Sequence, residues 1–109
     1  MKKLWLDDER LAPDGWITSK TAGHAVMLLS SGTFSEVSLD HDLGDDSVYG
    51  TGYDVACWLE EKAYTDPTFI VPIVHVHTQN ASARKKMMLA VGSIEKMRQK
   101  QLEHAGGPR

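Results

Sequence analysis

Leu4-Trp5-Leu6-Asp7-Asp8-Glu9-Arg10 is the stretch that decides the fold of this chain. Its apolar residues are typical of a short buried strand, and acidic residues follow where that strand ends. The same change recurs at Val37-Ser38-Leu39-Asp40-His41-Asp42 and at Val74-His75-Val76-His77-Thr78-Gln79-Asn80. Ligands of open α/β sheets bind in the crevice outside the carboxyl ends of the strands. The three stretches therefore predict one shared polar site.

Helical patterns separate these strands. The spacing of apolar residues predicts the remaining elements: a strand over 16–20, helices over 22–30, 53–62 and 82–103, and a last strand over 69–76. Pro72 places that last strand at or near a sheet edge, because proline cannot donate a ladder hydrogen bond. Alternating strands and helices favour a mostly parallel sheet with helices on both faces. We predict a single domain over 1–104 and a flexible tail over 105–109.

Composition limits the classes of function. The chain has 109 residues, 41% of them hydrophobic, and a net charge of −3, which is ordinary for one globular domain. It has no basic stripe that would favour duplex DNA as a partner. No apolar run reaches membrane-spanning length, and the apolar start is too short for a signal peptide. The single cysteine, Cys57, lies among apolar neighbours in a helical pattern and is expected to be buried. A cytoplasmic location is the resulting prediction.

Carboxylates at two strand ends predict a metal site. Asp7, Asp8 and Asp40 supply the hard oxygen ligands that divalent cations, magnesium above all, take up together with water and substrate phosphate. Adjacent acids repel one another, so a cation or a basic partner must compensate them. The alternative for the first cluster is a solvated acidic turn in which Arg10 forms a surface ion pair.

Histidines accompany the carboxylates at two strand ends. His41 lies between Asp40 and Asp42, and a carboxylate beside an imidazole can fix its tautomer. His77 is nearer the carboxyl end of its strand than His75, so His77 is favoured for the site and His75 is expected to be a satisfied sheet histidine. A polar loop with an exposed histidine is the alternative for His41.

Neutral and basic donors follow the last strand. Thr78 and Asn80 suit phosphate oxygens, although Asn80 is equally suited to be an ordinary helix N-cap. Arg84 lies in the first turn of the last helix, where the helix dipole disfavours a cation unless an anion is close. A phosphate site would supply that anion; a solvated helix face is the alternative.

The motifs together resemble those of the cyclic-phosphate-processing receiver-like domain family. The resemblance is carried by Leu-Trp-Leu-Asp-Asp-Glu-Arg, Ser-Leu-Asp-His-Asp-Leu-Gly, Gly-Thr-Gly-Tyr-Asp-Val and Val-His-Thr-Gln-Asn. It implies an α/β fold of truncated flavodoxin or receiver type, with three layers and a mostly parallel four-stranded sheet in the order 2-1-3-4. The segment between Arg10 and Trp16 is short for the usual first helix, and no fifth strand with its lysine follows the last helix.

The resemblance also implies residue roles. Asp7 and Asp8 match the magnesium-binding acidic pair of receiver domains, Asp40 the phosphate-accepting aspartate, and Thr78 the hydroxyl residue after the fourth strand. His41 and His77 are additional to a receiver and belong to the pattern of the family. The family is proposed to act on nucleotides or RNA ends that carry cyclic phosphates.

The main hypothesis is a phosphoesterase that opens a cyclic phosphate. His41 and His77 would divide the roles of acid and base, because an imidazole pKa lies near the working pH. The other assigned residues are the metal ligands Asp7, Asp8 and Asp40 and the phosphate contacts Arg10, Thr78, Asn80 and Arg84. The alternatives are a receiver-type signalling module phosphorylated on Asp40 and a non-catalytic binder of cyclic nucleotides. A homodimer through the apolar stripe of the last helix is a further possibility.

Overall fold

The apolar runs of the sequence form the strands of one sheet. The computed structural model describes residues 1–106, with side chains through residue 104. In chain order the elements are β1 Lys2–Leu6, β2 Ile17–Ser19, α1 Ala22–Ser31, β3 Phe34–Leu39, α2 Asp46–Tyr49, α3 Gly52–Thr65, β4 Ile73–Val76 and α4 Ala81–Gly106. Among the described residues, no helix combines the length and apolar character needed to cross a bilayer.

The strands pair in parallel in the order β2-β1-β3-β4. This confirms the predicted fold class, a receiver-like α/β fold with the strand order 2-1-3-4. Strand β4 lies at an edge of the sheet, as Pro72 indicated. It begins only at Ile73 instead of residue 69, because Pro72 has no N–H to donate to the ladder.

One face of the sheet carries the hydrophobic core. Side chains alternate between the two faces of a strand, so Leu4, Leu6, Val37, Leu39 and Val74 share a face, and all five are buried. Helix α3 contacts both α1 and α4, so the three long helices lie side by side over that face. The opposite face carries polar and aromatic side chains of the same strands: Lys3, Trp5, Glu36, Ser38 and His75.

The prediction of helices on both faces is wrong for the described residues, which form two layers instead of three. Right-handed crossovers explain why. The β2-α1-β3 and β3-α3-β4 connections move in the same direction across the sheet, so they place their helices on the same face. Only the β1-to-β2 connection moves in the opposite direction, and residues 7–16 contain no helix to cover the second face.

The structure also corrects details of the helices. The loop after β3 contains the short helix α2. The sequence did not predict this helix, because its four residues show no apolar periodicity. Cys57 is exposed, because Val55, Ala56 and Leu59 occupy the buried stripe of α3. Helix α4 extends to Gly106, and residues 107–109 of the predicted tail lie outside the described residues.

Gly52 marks the closest approach between β3 and α3. A Cβ atom built on Gly52 would lie 1.8 Å from the backbone oxygen of Asp40, whereas one on the exposed Gly92 of α4 would meet open space. We expect Gly52→Ala to destabilise the protein by about 3 kcal/mol or more, since rigid backbone must move. Gly92→Ala should stabilise it by roughly 0.5–1 kcal/mol through helix propensity. Urea unfolding followed by circular dichroism measures both; equal effects of the two substitutions would contradict this packing.

Candidate functional site

Backbone hydrogen bonds beyond the strand ends bring the three polar stretches together. Asp7 N–H donates to Ser19 O at 3.0 Å, Asp40 N–H to Leu6 O at 2.9 Å, and His77 N–H to Leu39 O at 3.0 Å. The ladder therefore continues one step past each buried strand. Because the strands are parallel, all three polar residues lie at the same end of the sheet, the one formed by the carboxyl ends of the strands.

A polar cleft of about 180 Å³ opens at this carboxyl end of the sheet. The residues that line it are Asp7, Asp8, Glu9, Arg10, Asp40, Asp42, Thr78, Gln79 and Asn80. They come from all three stretches, so the strand ends converge as predicted, but no histidine is among the lining residues. The lining contains five carboxyl side chains and one guanidinium, a concentration of negative charge that favours a bound cation.

Asp7, Asp8 and Asp40 form the densest part of this charge. Their nearest carboxylate oxygens all lie within 4.8 Å of one another. Asp7 and Asp40 are 1% and 8% exposed, so water screens their repulsion poorly. The donor set consists of hard oxygen atoms and fits a divalent cation such as magnesium, which accepts a few carboxylates and fills its remaining positions with water or phosphate.

The orientation of Asp7 is fixed by its surroundings. Its Oδ1 accepts hydrogen bonds from the backbone N–H groups of Glu9 and Arg10, each at 2.9 Å, and its Oδ2 lies 3.1 Å from His77 Nε2. Burial acts to raise the pKa of Asp7. The hydrogen bonds from Arg10, Glu9 and His77 outweigh burial and hold that pKa below its ordinary value of 3.8. Asp7 is therefore a carboxylate at neutral pH.

His77 lies beneath the cleft and does not line it. Its Nδ1 is 2.7 Å from Ser38 Oγ, and its ring stacks on Trp5 with centroids 3.9 Å apart and planes 6° apart. Burial lowers the pKa of His77 below 6.5, while the carboxylates of Asp7 and Asp40 act in the opposite direction. The imidazole is therefore neutral at neutral pH.

His41 touches the cleft only through a neighbouring carboxylate: it does not itself line the cleft, and its side chain is 11% exposed. Its Nδ1 lies 2.8 Å from Oδ1 of Asp42, which lines the cleft. Asp42 Oδ2 in turn accepts from Asn80 Nδ2 at 3.4 Å. Among the hydrogen bonds of the described residues none involves His41 Nε2, whereas both ring nitrogens of His77 are engaged.

The predicted phosphate contacts separate into two groups. Arg10, Thr78 and Asn80 line the cleft, whereas Arg84 does not: its guanidinium donates to Val76 O at 3.1 Å. Asn80 also serves as the N-cap of α4, since its Oδ1 accepts from Ala83 N–H at 3.1 Å. The two interpretations of Asn80 are therefore compatible, because the amide oxygen caps the helix while the amide nitrogen faces Asp42.

His75 lies away from the cleft, on the uncovered sheet face. Its Nε2 is 2.9 Å from Glu36 Oε1, and Glu36 also pairs with Lys3 at 3.3 Å. This cross-strand cluster is the satisfied sheet histidine that the sequence indicated, although the side chain of His75 is 49% exposed.

A second cavity, of about 210 Å³, lies at the opposite end of the sheet, near the amino ends of β3 and β4 at Phe34 and Pro72. Its ionisable lining residues are Lys62 and Asp66, which lie 4.0 Å apart and compensate each other. It lacks the uncompensated charge of the strand-end cleft, so we place the candidate site at the cleft.

Sequence reasoning missed Trp5 and Ser38, which surround His77, and left the role of Asp42 open. A signal for the first two exists in the strand register. Trp5 pairs with Ser38 and Ser38 with His75, so these residues and His77 share one face of the sheet. Glu9 and Gln79 belong to the polar stretches that predicted the site, but no role was assigned to either, and both line the cleft.

The parallel sheet and the acidic cleft at its carboxyl end define a protein of the receiver class. The family model described as cyclic-phosphate processing receiver domain matches residues 2–93, and the chain belongs to that family. Comparison with curated proteins and with solved structures gave no significant match.

The lowered pKa values of Asp7 and His77 predict a loss of stability in acid. A depressed folded-state pKa means that folding favours the deprotonated form, so each contribution is complete above the unfolded-state value. The contribution of His77 is lost as the pH falls from 6.5 through its lower folded value, and that of Asp7 as the pH falls below 3.8. In urea unfolding of the metal-free protein, the free energy should fall from pH 7 to pH 5. His77→Gln should flatten this fall, and an unchanged slope would contradict the assignment.

Proposed function

We propose that the protein is a cation-dependent phosphoesterase that opens cyclic phosphates on nucleotides or RNA ends. The observation that carries this proposal is the cleft itself, where three strand ends bring together a carboxylate cluster and phosphate donors, with the His41–Asp42 pair beside them. Membership of a family described as cyclic-phosphate processing supports the substrate class.

His41 is the best candidate for the general base. Asp42 accepts a hydrogen bond from the Nδ1–H of His41, which leaves the Nε2 lone pair to take a proton from water. The carboxylate also stabilises the imidazolium that forms. Asn80 holds the second oxygen of Asp42, so the dyad has a fixed orientation.

Arg10, Thr78 and Asn80 are the residues that we propose hold the phosphate, because all three line the cleft. Arg10 is partly exposed and lies 3.6 Å from Asp7, so its guanidinium can bind phosphate oxygens at the rim while it remains anchored to His77 O at 2.9 Å. Thr78 is 6% exposed and lines the cleft, so its hydroxyl can donate to a phosphate oxygen. Arg84 would contact phosphate only if it released the Val76 carbonyl.

Asp7, Asp8 and Asp40 would hold the divalent cation, which we propose is magnesium. When bound, it would neutralise the charge that develops on the phosphate and on the leaving alkoxide. The three carboxylates come from the ends of β1 and β3, two paired strands, so the fold fixes their spacing before any ligand binds.

A receiver-type module phosphorylated on Asp40 is the second candidate, favoured by the position of Asp40 beside the acidic pair. It predicts acid-labile labelling of the protein by a small phosphodonor, dependent on magnesium and lost in Asp40→Asn. Arg84 donates to the Val76 carbonyl and does not line the cleft, so its guanidinium does not lie beside a phosphoryl group on Asp40. We therefore rank this function below hydrolysis.

The experiment is a turnover screen with the full chain. The panel contains 2′,3′- and 3′,5′-cyclic nucleotides and RNA ending in a 2′,3′-cyclic phosphate, each with magnesium or with a chelator, and products are separated by chromatography. We expect ring opening of at least one substrate, lost with the chelator. His41→Ala should lower kcat/KM by about 10²- to 10⁴-fold, the usual contribution of a general base.

His75→Ala is the matched control, because His75 is an imidazole paired with a carboxylate but lies outside the cleft. It should retain wild-type turnover. Full activity of His41→Ala would contradict the assigned base. Ligand recovered unchanged from every reaction would reject hydrolysis in favour of the non-catalytic binder.

A further inference from the structure

His77 is enclosed on every side that could bond to it. Ser38 Oγ lies 2.7 Å from its Nδ1, Asp7 Oδ2 lies 3.1 Å from its Nε2, and the ring of Trp5 covers its face. Its side chain is 14% exposed. Neither ring nitrogen is free to meet a substrate or a water molecule in the cleft.

The direction of these hydrogen bonds follows from their chemistry. A carboxylate can only accept, so the Nε2–H of His77 donates to Asp7. In the neutral ring Nδ1 then accepts from the hydroxyl of Ser38. The proton of the imidazole is therefore directed at Oδ2 of Asp7, a member of the acidic cluster.

The order Ser38, His77, Asp7 has the composition of a hydrolase triad. Ser38, however, is 4% exposed and lies within the paired part of β3, so its hydroxyl has no access to a substrate. The chain of hydrogen bonds fits an orienting role and not nucleophilic catalysis.

Trp5 and Arg10 make further contacts around His77. Trp5 Nε1–H donates to Arg10 O at 3.2 Å, and the Arg10 guanidinium donates to His77 O at 2.9 Å. Trp5 lies on the sheet face that no described helix covers. Its ring therefore shields His77 from water where the missing first helix would otherwise do so.

We infer that His77 is a positioning residue that holds Asp7 in the orientation needed to bind the cation, with Ser38 and Trp5 holding His77 in turn. This deepens the proposed function and rests on its cation site. A hydrogen-bonded partner that orients a metal ligand typically contributes a factor of 10–100 in metal affinity. His77 then takes no part in proton transfer, which replaces its role as acid or base expected from the sequence.

The test measures Mn²⁺ binding to the full chain by electron paramagnetic resonance and calorimetry. His77→Ala should weaken binding by about 10- to 100-fold. His77→Gln places an amide N–H near the position of Nε2 and should keep both an affinity close to that of the wild type and most of its turnover. Trp5→Phe should likewise keep the affinity, whereas Trp5→Ala should reduce it. His75→Ala, two residues earlier on the same strand, should change nothing.

Each outcome decides the inference. Wild-type affinity in His77→Ala would overturn it, as would a wild-type protein that does not bind Mn²⁺. Normal binding with lost turnover in His77→Gln would overturn it in favour of proton transfer by His77. Weakened binding in His77→Ala that His77→Gln restores supports it, even if no cyclic phosphate is hydrolysed, so the proposed function can fail separately. Thermal unfolding of each variant identifies any that does not fold, and His77→Gln with the Trp5 pair then carries the test.

Discussion

The site depends on the parallel backbone ladder around the central strands β1 and β3. Hydrogen bonds from Asp40 N–H to Leu6 O and from His77 N–H to Leu39 O extend the pairing one residue beyond the buried strands. A shift of one residue in either pair would turn the polar side chains to the wrong face and break the core on the other side. The register that buries Leu6 against Leu39 therefore also places Asp7 beside Asp40.

The one-sided covering of the sheet has a direct consequence for the site. Parallel sheets are ordinarily covered on both faces, but here the second face is lined by paired charges and by an aromatic cluster. The ring of Trp5 stacks on His77 and excludes water from that face of the imidazole. The neutral imidazole can then donate a hydrogen bond to the buried carboxylate of Asp7 without neutralising it, which leaves that negative charge for a cation.

Much of this arrangement follows from the sequence. The apolar runs before Asp7, Asp40 and His77 give the strands, and the rule that parallel strands share one carboxyl end of the sheet gives the site. The Thr51 side chain accepts from Asp54 N–H, and the helix begins at Gly52, close to its predicted start. These features are local or depend on chain order alone, so patterns of residues suffice to predict them.

Other features depend on three-dimensional contacts that periodicity does not encode. The stacking of Trp5 on His77 requires the register of three strands, and the anchoring of Arg84 on Val76 O depends on how α4 leaves the sheet. The engagement of both His77 nitrogens, on which its inferred positioning role rests, depends on the hydroxyl of Ser38 in β3 and on the carboxylate of Asp7. Patterns of residues in the sequence do not predict side-chain networks of this kind.

Paramagnetic broadening by Mn²⁺ in ¹H–¹⁵N spectra shows directly whether the ends of β1, β3 and β4 surround a single cation site. Substoichiometric Mn²⁺ should broaden the amide signals of residues 7–10, 40–42 and 77–80 together. The signals of residues 32–34 and 69–71, at the opposite end of the sheet, should stay sharp. Broadening confined to one of the three stretches, or centred on the opposite end of the sheet, would show that the three strand ends do not surround one cation site.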